Sequence, residues 1–204
     1  RIAADKPRGE TTARELLDRG SARIEKEFAG QPELQIELLG LTTDIYAHLA
    51  DDDRYAAMQR RRIELARTHY GASHPIVLQG LLSEVSAASE RQDHASASTL
   101  LDQIDLLLDQ SGQNQSLLRA DWWQQRAREI YLTGGAMDEM AKSLEQCFAL
   151  YEKLAPGTRG YATALSDAAN IYSERGDPVQ QRRLNERALA VYAAAPDRND
   201  ADVQ

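Results

Sequence analysis

The chain has 204 residues, a formal net charge of −8 and one cysteine. That length suits one domain or one array of repeats and is enough to bury a core. The acidic balance argues against a nucleic-acid backbone or an anionic membrane surface as the main partner. The single cysteine excludes an internal disulfide, and no apolar run in the sequence is long enough to span a bilayer. Because the chain starts at an arginine, we expect a longer parent protein, with any membrane segment outside these residues.

The first predicted element is an amphipathic leading helix. Thr12 and Glu15 match a capping box, in which the hydroxyl and the carboxylate each bind a free amide at the helix start. The predicted organisation is a linker at 1–9, the leading helix at 10–30, four repeats across 31–195 (about 32–73, 74–116, 117–158 and 159–195) and a tail at 196–204.

The four repeats are predicted from a period of about 42 residues. An aromatic residue precedes a turn at Tyr46, Tyr131 and Tyr172, and Ala88 fills the missing position. The intervals are 42, 43 and 41 residues, and a second set of anchors nine residues later repeats them. A period this regular across four copies indicates a repeated structural unit.

Each copy is predicted to contain two helices. In the last copy, Leu165, Ala168 and Tyr172 lie on one apolar helical face. Gly176 and Pro178 then end that helix and begin the next, since glycine tolerates the left-handed cap and proline suits a first turn. Because no strand pattern is present, the sequence predicts an all-α array.

A helix-turn-helix unit with small residues and aromatics at these offsets resembles a tetratricopeptide repeat, and a period near 42 is similar to the kinesin-light-chain type. The corner Gly71–Pro75, GASHP, is similar to the linker of that type, with serine in place of aspartate. The first copy departs from the pattern where 51–53 (DDD) replace the glycine, and the second carries polar Glu84 on its first helix. The resemblance implies an α-solenoid of tetratricopeptide-like repeats with one leading helix.

The leading segment 12–35, TARELLDRGSARIEKEFAGQPELQ, is similar to the segment that opens the repeat region of many bacterial Hanks-type serine/threonine kinases. In such kinases a catalytic domain and one membrane-spanning helix precede the repeats. The resemblance implies a periplasmic sensor region that controls a kinase through ligand binding or dimerisation. No glycine-rich phosphate loop, HRD or DFG triplet is present, so we expect no enzymatic activity in this chain. The alternative is a cytoplasmic scaffold or peptide-sensing module, and the residues that precede Arg1 would separate the two.

Side chains able to carry chemistry are interpreted structurally. His69 and His74 do not make a helical i, i+4 pair, so we predict no metal site, no cofactor and no catalytic residues. Cys147 falls on an apolar helical stripe without a basic neighbour, which favours a buried structural thiol. The basic run 60–62 (RRR) is interpreted as a solvated helix face.

A protein or peptide ligand is expected on the surface formed by the first helices, which is the binding surface implied by the family resemblance. Trp122 and Trp123 point about 100° apart on a helix, so we assign Trp122 to this surface as an aromatic anchor, with both residues acting as packing groups as the alternative. Each groove residue could equally be ordinary solvated surface. The predicted groove residues are Asp44, His48, Ser83, Ser86, Glu90, Trp122, Gln125, Arg126, Glu129, Asp167, Asn170 and Ser173.

The last predicted helix carries an apolar stripe that no later helix of the sequence covers. Such a stripe would meet a further repeat or a second copy of the chain, because repeat arrays normally end in a polar cap. The predicted dimer or next-repeat face is Leu184, Ala188, Val191 and Tyr192.

Overall fold

The computed structural model describes residues 13–194 and is built over that range from helices joined by short corners, without strands. This confirms the all-α prediction. The predicted linker at 1–9, the tail at 196–204 and the Thr12–Glu15 capping box lie outside what is described. The helices are α1 (Ala13–Glu27), α2 (Pro32–His48), α3 (Asp52–Tyr70), α4 (Pro75–Glu90), α5 (His94–Gln110), α6 (Leu117–Leu132), α7 (Met137–Leu154), α8 (Arg159–Glu174) and α9 (Pro178–Ala194).

The corner inside each repeat is built on one residue in the left-handed region. The second helix starts two residues after the left-handed residue, or three residues after it in the third repeat. The amide of the residue that follows the left-handed one donates to the carbonyl five residues before it. This is the hydrogen bond of a Schellman cap. The left-handed residues are Ala50, Gln92, Gly134 and Gly176, with φ of 50°, 60°, 72° and 77°. The accepting carbonyls are those of Tyr46, Ala88, Ile130 and Tyr172.

These caps give a constant interval of 42 residues and correct the third sequence anchor from Tyr131 to Ile130. The anchor was placed one residue too late because the third corner has one residue more than the others. Asp51 directly follows its left-handed residue and accepts the Arg54 amide as helix cap, whereas Gly135 separates Gly134 from the uncapped start of α7.

The chain divides into two compact units, Arg1–Gly80 and Leu81–Gln204, and the division falls within the α4 segment of the chain. In the N-terminal unit, α2 packs on α3. Leu39 of α2 is 2% exposed, and α3 makes two close approaches to glycine, one at Gly40 of α2 and one at Gly80 of α4. The guanidinium of Arg62 lies over Gly40, and the side chain of Ile63 lies against Gly80. Glycine at these helical positions leaves the space that both side chains occupy.

The α3–α4 corner is held by an aromatic stack. The rings of Tyr70 and His74 are stacked with centroids 4.2 Å apart, and the amide of Ile76 donates to His74 Nδ1 over 3.3 Å. Gly71 ends α3 with φ of 93°. His74 therefore has the structural role at its corner that the sequence predicted.

The C-terminal unit contains a continuous apolar cluster contributed by α6 to α9. Leu165 is fully buried within it, and Tyr151 and Tyr161 stack with centroids 5.6 Å apart where α7 meets α8. Leu101 and Ile104 of α5 are also fully buried in this unit. This packing fixes α6 and α8 side by side.

A candidate binding cleft between α6 and α8

A cleft of about 400 Å³ lies between the first helices of the third and fourth repeats, entirely within the C-terminal unit. Both helices contribute polar and apolar side chains to it. Its lining is Gln124, Gln125, Arg128, Tyr131, Leu132, Leu144, Asp167, Ala168, Asn170, Ile171 and Glu174.

The start of α6 is fixed by a buried guanidinium. Ser116 caps the helix by accepting the Arg119 amide over 3.2 Å. Arg119 is 5% exposed, and its guanidinium pairs with Asp105 and, over 2.6 Å, with Asp109. It also donates to Asn114. A buried guanidinium needs such partners, and here they tie α5 and the α5–α6 corner to α6.

The start of α8 is fixed by a buried threonine. Thr158 accepts the Tyr161 amide over 3.4 Å and donates its hydroxyl to the Ala155 carbonyl over 3.0 Å. The threonine is fully covered, so both of its hydroxyl bonds compensate for lost water. The two helices that line the cleft therefore start at capped, well-packed residues.

Three carboxamides set the polar character of the cleft. Gln124 Nε2 donates to Asp167 Oδ2 over 2.8 Å and so bridges α6 to α8. Gln125 Oε1 is covered by protein and accepts no hydrogen bond from the described residues. Asn170 is exposed at the α8 side. Carboxamides offer both donors and acceptors, which matches the needs of an unpaired peptide backbone.

The carboxyl group of Asp167 is perturbed by its position. Partial burial raises its pKa above the ordinary value, while the hydrogen bond from Gln124 and the charge of Arg128 act in the opposite direction. Desolvation is the largest cause, and it raises the pKa because it disfavours the charged form of the carboxyl group. Asp167 therefore places a partly desolvated carboxyl group on the cleft wall.

An ionic cluster closes the other end of the cleft. The hydroxyl of Tyr131 donates to the carboxylate of Glu174. The guanidinium of Arg175 lies 5.3 Å from the centroid of the Tyr131 ring, within cation–π distance. Tyr131 therefore links α6 to the end of α8.

Three predicted groove residues, Gln125, Asp167 and Asn170, line this cleft. Trp122 does not, which corrects its assignment as an exposed anchor. It is 6% exposed, and its Nε1 donates to the Leu101 carbonyl over 2.8 Å, so it is a core residue. Its neighbour Trp123 is half-buried against the apolar cluster.

Glu129 is likewise buried, at 5% exposure, rather than facing a groove. Its carboxylate accepts the Ser89 hydroxyl and lies 3.0 Å from His94 Nδ1. His94 is thus paired with a residue that no sequence pattern indicated as its partner. The cluster satisfies a buried carboxylate between α4, α5 and α6.

The errors in the third repeat have one cause. With the interval held at 42, the position equivalent to Leu39, Leu81 and Leu165 is Trp123, one residue earlier than an anchor at Tyr131 implies. Moving the predicted groove positions on α6 back by one residue gives 121, 124, 125 and 128, and the last three of these line the cleft. Of those three, Gln124 and Arg128 were missing from the prediction.

The remaining predicted groove residues do not line the cleft. In the N-terminal unit, Asp44 and His48 are exposed, and His48 Nδ1 lies 2.7 Å from the Asp44 carbonyl. The others belong to the C-terminal unit and range from half-buried to exposed. These are Ser83, Ser86, Glu90, Arg126 and Ser173.

The predicted uncovered stripe on α9 is also corrected. Leu184 and Ala188 are 4% and 3% exposed, and Val191 packs against the same apolar cluster. Tyr192 is half-buried. Leu184 and Ala188 therefore pack within their own unit, while Val191 and Tyr192 keep part of their surface exposed.

Cys147 is buried as predicted, and burial raises the pKa of its thiol. Over residues 13–194, no group of three or more His, Cys, Asp or Glu side chains is arranged to hold a metal ion. Within that same range, no helix combines the length and the apolar character needed to cross a membrane.

No family model and no curated protein matches the chain. Among solved structures, BtubC (BKLC) from P. vanneervenii matches with a TM-score of 0.63 and 14% identity, over 89% of this chain and 72% of that one. A variant of nearly identical TPR-like repeats of a kinesin light chain from Podosopora anserina matches with a TM-score of 0.51 and 19% identity, over 86% and 94%. The chain is therefore similar in fold to these proteins: an α-solenoid of tetratricopeptide-like repeats with one leading helix.

Proposed function

We propose that the chain is a non-enzymatic protein-interaction module that binds an extended peptide or protein segment in the α6–α8 cleft. The observation that carries this proposal is the covered, unbonded Oε1 of Gln125 in a cleft lined by two further carboxamides. A covered acceptor without a donor is unfavourable by about 1–3 kcal/mol, and a turn of the Gln125 side chain toward the cleft would let the N–H of an incoming extended backbone satisfy it. Gln124 and Asn170 supply the complementary donors and acceptors.

The charges of the cleft favour a segment with basic residues. Asp167 and Glu174 contribute carboxylates, and Arg128 is the guanidinium among the lining residues. A Lys or Arg beside the bound backbone would compensate the partly desolvated carboxyl group of Asp167. Apolar contacts with Leu132 and Ile171 would add burial without charge.

We further propose that the module is the extracytoplasmic, periplasmic sensor region of a bacterial membrane-anchored serine/threonine kinase. The support is the resemblance of the leading segment 12–35 to the segment that opens such repeat regions. A cytoplasmic scaffold or peptide-sensing regulator is the alternative. The full coding sequence tests this: a catalytic domain and a membrane-spanning segment before Arg1 support the sensor, and their absence contradicts it.

Control of a kinase through dimerisation is a separate part of the proposal. The test is the mass of the purified chain by light scattering, with and without a bound peptide. A change from monomer to dimer on binding supports control by dimerisation. A constant mass contradicts it and leaves ligand binding as the controlling event.

Peptide selection followed by affinity measurement tests the cleft. Unstructured peptides selected on the chain are measured by fluorescence polarisation against Gln125→Ala and Asn170→Ala. Gln146→Ala on α7 and Asn185→Ala on α9, both exposed, are the matched controls. We expect each cleft variant to weaken binding by about tenfold, corresponding to one well-made hydrogen bond, and the controls to bind normally. Equal affinities across all four variants, or no selected peptide, would contradict the cleft as the binding site.

A further inference from the structure

A second cleft, of about 450 Å³, lies within the N-terminal unit and is independent of the proposed peptide site. It is formed by α2, the C-terminal half of α3 and the start of α4. A volume of this size suits a small ligand. Its lining is Glu33, Leu34, Ile36, Glu37, Arg62, Tyr70 and Ile76.

Arg62 is the unusual residue of this cleft. Its Nε is covered by protein and has no hydrogen-bond partner. The sequence interpretation of 60–62 as a solvated face is therefore wrong for Arg62, which is half-buried, while Arg60 and Arg61 are exposed. Arg119 in the C-terminal unit shows the usual solution, with acidic partners around a buried guanidinium. Arg62 lacks that arrangement among the described residues.

The guanidinium of Arg62 lies close against Gly40. A Cβ at Gly40 would lie 3.1 Å from Cζ and Nε of Arg62 and 3.2 Å from Nη2, so the cation lies close against the glycine. Glycine is unfavourable inside a helix, and here it makes room for the cation. The structure thus places a charge that needs an anion beside an open cleft.

The carboxylates of the cleft lie along the same side of α2 as this cation. Gly40, Glu37 and Glu33 are spaced by three and four residues, so they follow one helical face. Glu37 comes three residues before Gly40, a rise of about 4.5 Å along the helix axis. Glu33 is at the rim, with its side chain 76% exposed and 3.5 Å from His69 Nε2. The cleft therefore presents a cation with carboxylates one and two turns away.

Apolar groups complete the cleft. Leu34 and Ile76 contribute aliphatic side chains, and the ring of Tyr70 is held by its stack on His74. A ligand that fits needs an anionic group, a cationic group close to it and an apolar side chain. Phosphate and dicarboxylates fit poorly, because Glu33 and Glu37 would repel a second negative charge.

We propose that this cleft binds a free α-amino acid with an apolar side chain. The guanidinium of Arg62 binds the carboxylate, Glu37 binds the ammonium group, and the side chain packs against Leu34, Tyr70 and Ile76. A peptide fits less well, because its N-terminal residue has no free carboxylate and its C-terminal residue has no free ammonium group. The Arg–carboxylate contact is the charge-assisted pair for which the planar guanidinium is suited.

Calorimetric titration of the full 204-residue chain with leucine, isoleucine, valine, methionine and phenylalanine tests this proposal. We expect saturable binding of at least one of them at one site per chain. Binding should weaken by at least about tenfold in Arg62→Gln and in Glu37→Gln, and be unchanged in the matched variant Arg60→Gln. Because Glu37 is exposed, its variant tests the site without disturbing the core.

Two analogues of the bound amino acid test the contributions of its carboxylate and its ammonium group separately. The amide of the bound amino acid lacks the carboxylate, and its N-acetyl form lacks the ammonium group, so both should bind at least about tenfold more weakly. An N-acetyl form that binds as tightly as the free amino acid would overturn the role of Glu37 and the zwitterionic ligand. No saturable binding of any of the five at millimolar concentration would overturn the site altogether. Either result leaves the peptide cleft untouched, because that cleft lies in the other unit.

Discussion

The first two repeats and the last two turn their corners with the same backbone but with different residues. Ala50 and Gln92 adopt the left-handed region in the first pair, and Gly134 and Gly176 do so in the second. Left-handed backbone is unfavourable for a residue with a Cβ by about 1–2 kcal/mol. The corner nevertheless forms without glycine: the Schellman hydrogen bond, from an amide to the carbonyl five residues before it, is present in all four copies. The repeat register, rather than glycine, determines this geometry.

The burial of side chains also differs between the helices of the first repeat and α7 of the third. On α3 only Ile63 and Ala66 are buried, while α2 exposes Leu41 at 56% and Ile45 at 44%. On α7 the buried face extends from Met140 to Tyr151. Repeats with one period can thus differ in how much apolar surface they cover.

The largest expected effect is in the cluster of the C-terminal unit. Leu165→Ala removes a fully buried side chain and should lower the free energy of unfolding by about 2–5 kcal/mol. Leu189→Ala on α9, which is 67% exposed, is the matched control and should change it by less than about 0.5 kcal/mol. Denaturant unfolding followed by tryptophan fluorescence reports on this unit, since Trp122 and Trp123 both lie on α6. Similar losses in the two variants would contradict the described core.

The glycine contacts of the N-terminal unit give the next effect. A Cβ at Gly80 would overlap Cγ1 and Cδ1 of buried Ile63, so Gly80→Ala should destabilise by about 1–3 kcal/mol. The matched variant Gly40→Ala meets only the end of the Arg62 side chain, which is flexible enough to move aside, and should be tolerated better. Circular dichroism during urea unfolding measures both. A double variant with Ile63→Ala should recover part of the Gly80→Ala loss, and no recovery would contradict the contact.

Exchanging residues at the corners sharpens the first comparison. Gly176→Ala places a Cβ in the left-handed region and should destabilise by about 1–2 kcal/mol. Gln92→Gly removes that strain but raises the conformational entropy of the unfolded chain. The net result should be an increase of about 0.5 kcal/mol in the free energy of unfolding. Thermal unfolding of the two variants, measured beside wild type, should show shifts of opposite sign. Shifts of the same sign would mean that these corners are not equivalent.

The sequence predicted the helical array well because the corners and stripes are local signals. The doubled glycine at 134–135 shifted the register by one residue, and this one error placed Trp122 on the groove surface and left Gln124 and Arg128 out of the predicted groove. The pairing of His94 with Glu129 connects residues 35 positions apart, and no local pattern indicates such a contact. The partly buried state of Arg62 depends on a glycine in another helix, which single-helix patterns do not report.

The smallest effect concerns the cap of α5. Two bonds from Ser96, through its hydroxyl and its amide, lower the pKa of Asp93 from its ordinary value of 3.8. The folded state therefore holds the proton less tightly than the unfolded state. The stabilisation from this cap is complete above pH 3.8 and is lost as the pH falls through the lowered folded value.

An Asp93→Asn variant keeps a side-chain oxygen for the cap but does not titrate. We therefore expect wild type to lose stability relative to the variant between neutral and strongly acidic pH, as measured by urea midpoints. Asp102→Asn, at an exposed position later in the same helix, is the matched control for charge alone. Because Asp102 does not cap the helix, its variant should follow wild type more closely as the pH falls. An Asp93 variant that also follows wild type would show that the cap bonds to Ser96 do not depend on the charge of the carboxylate.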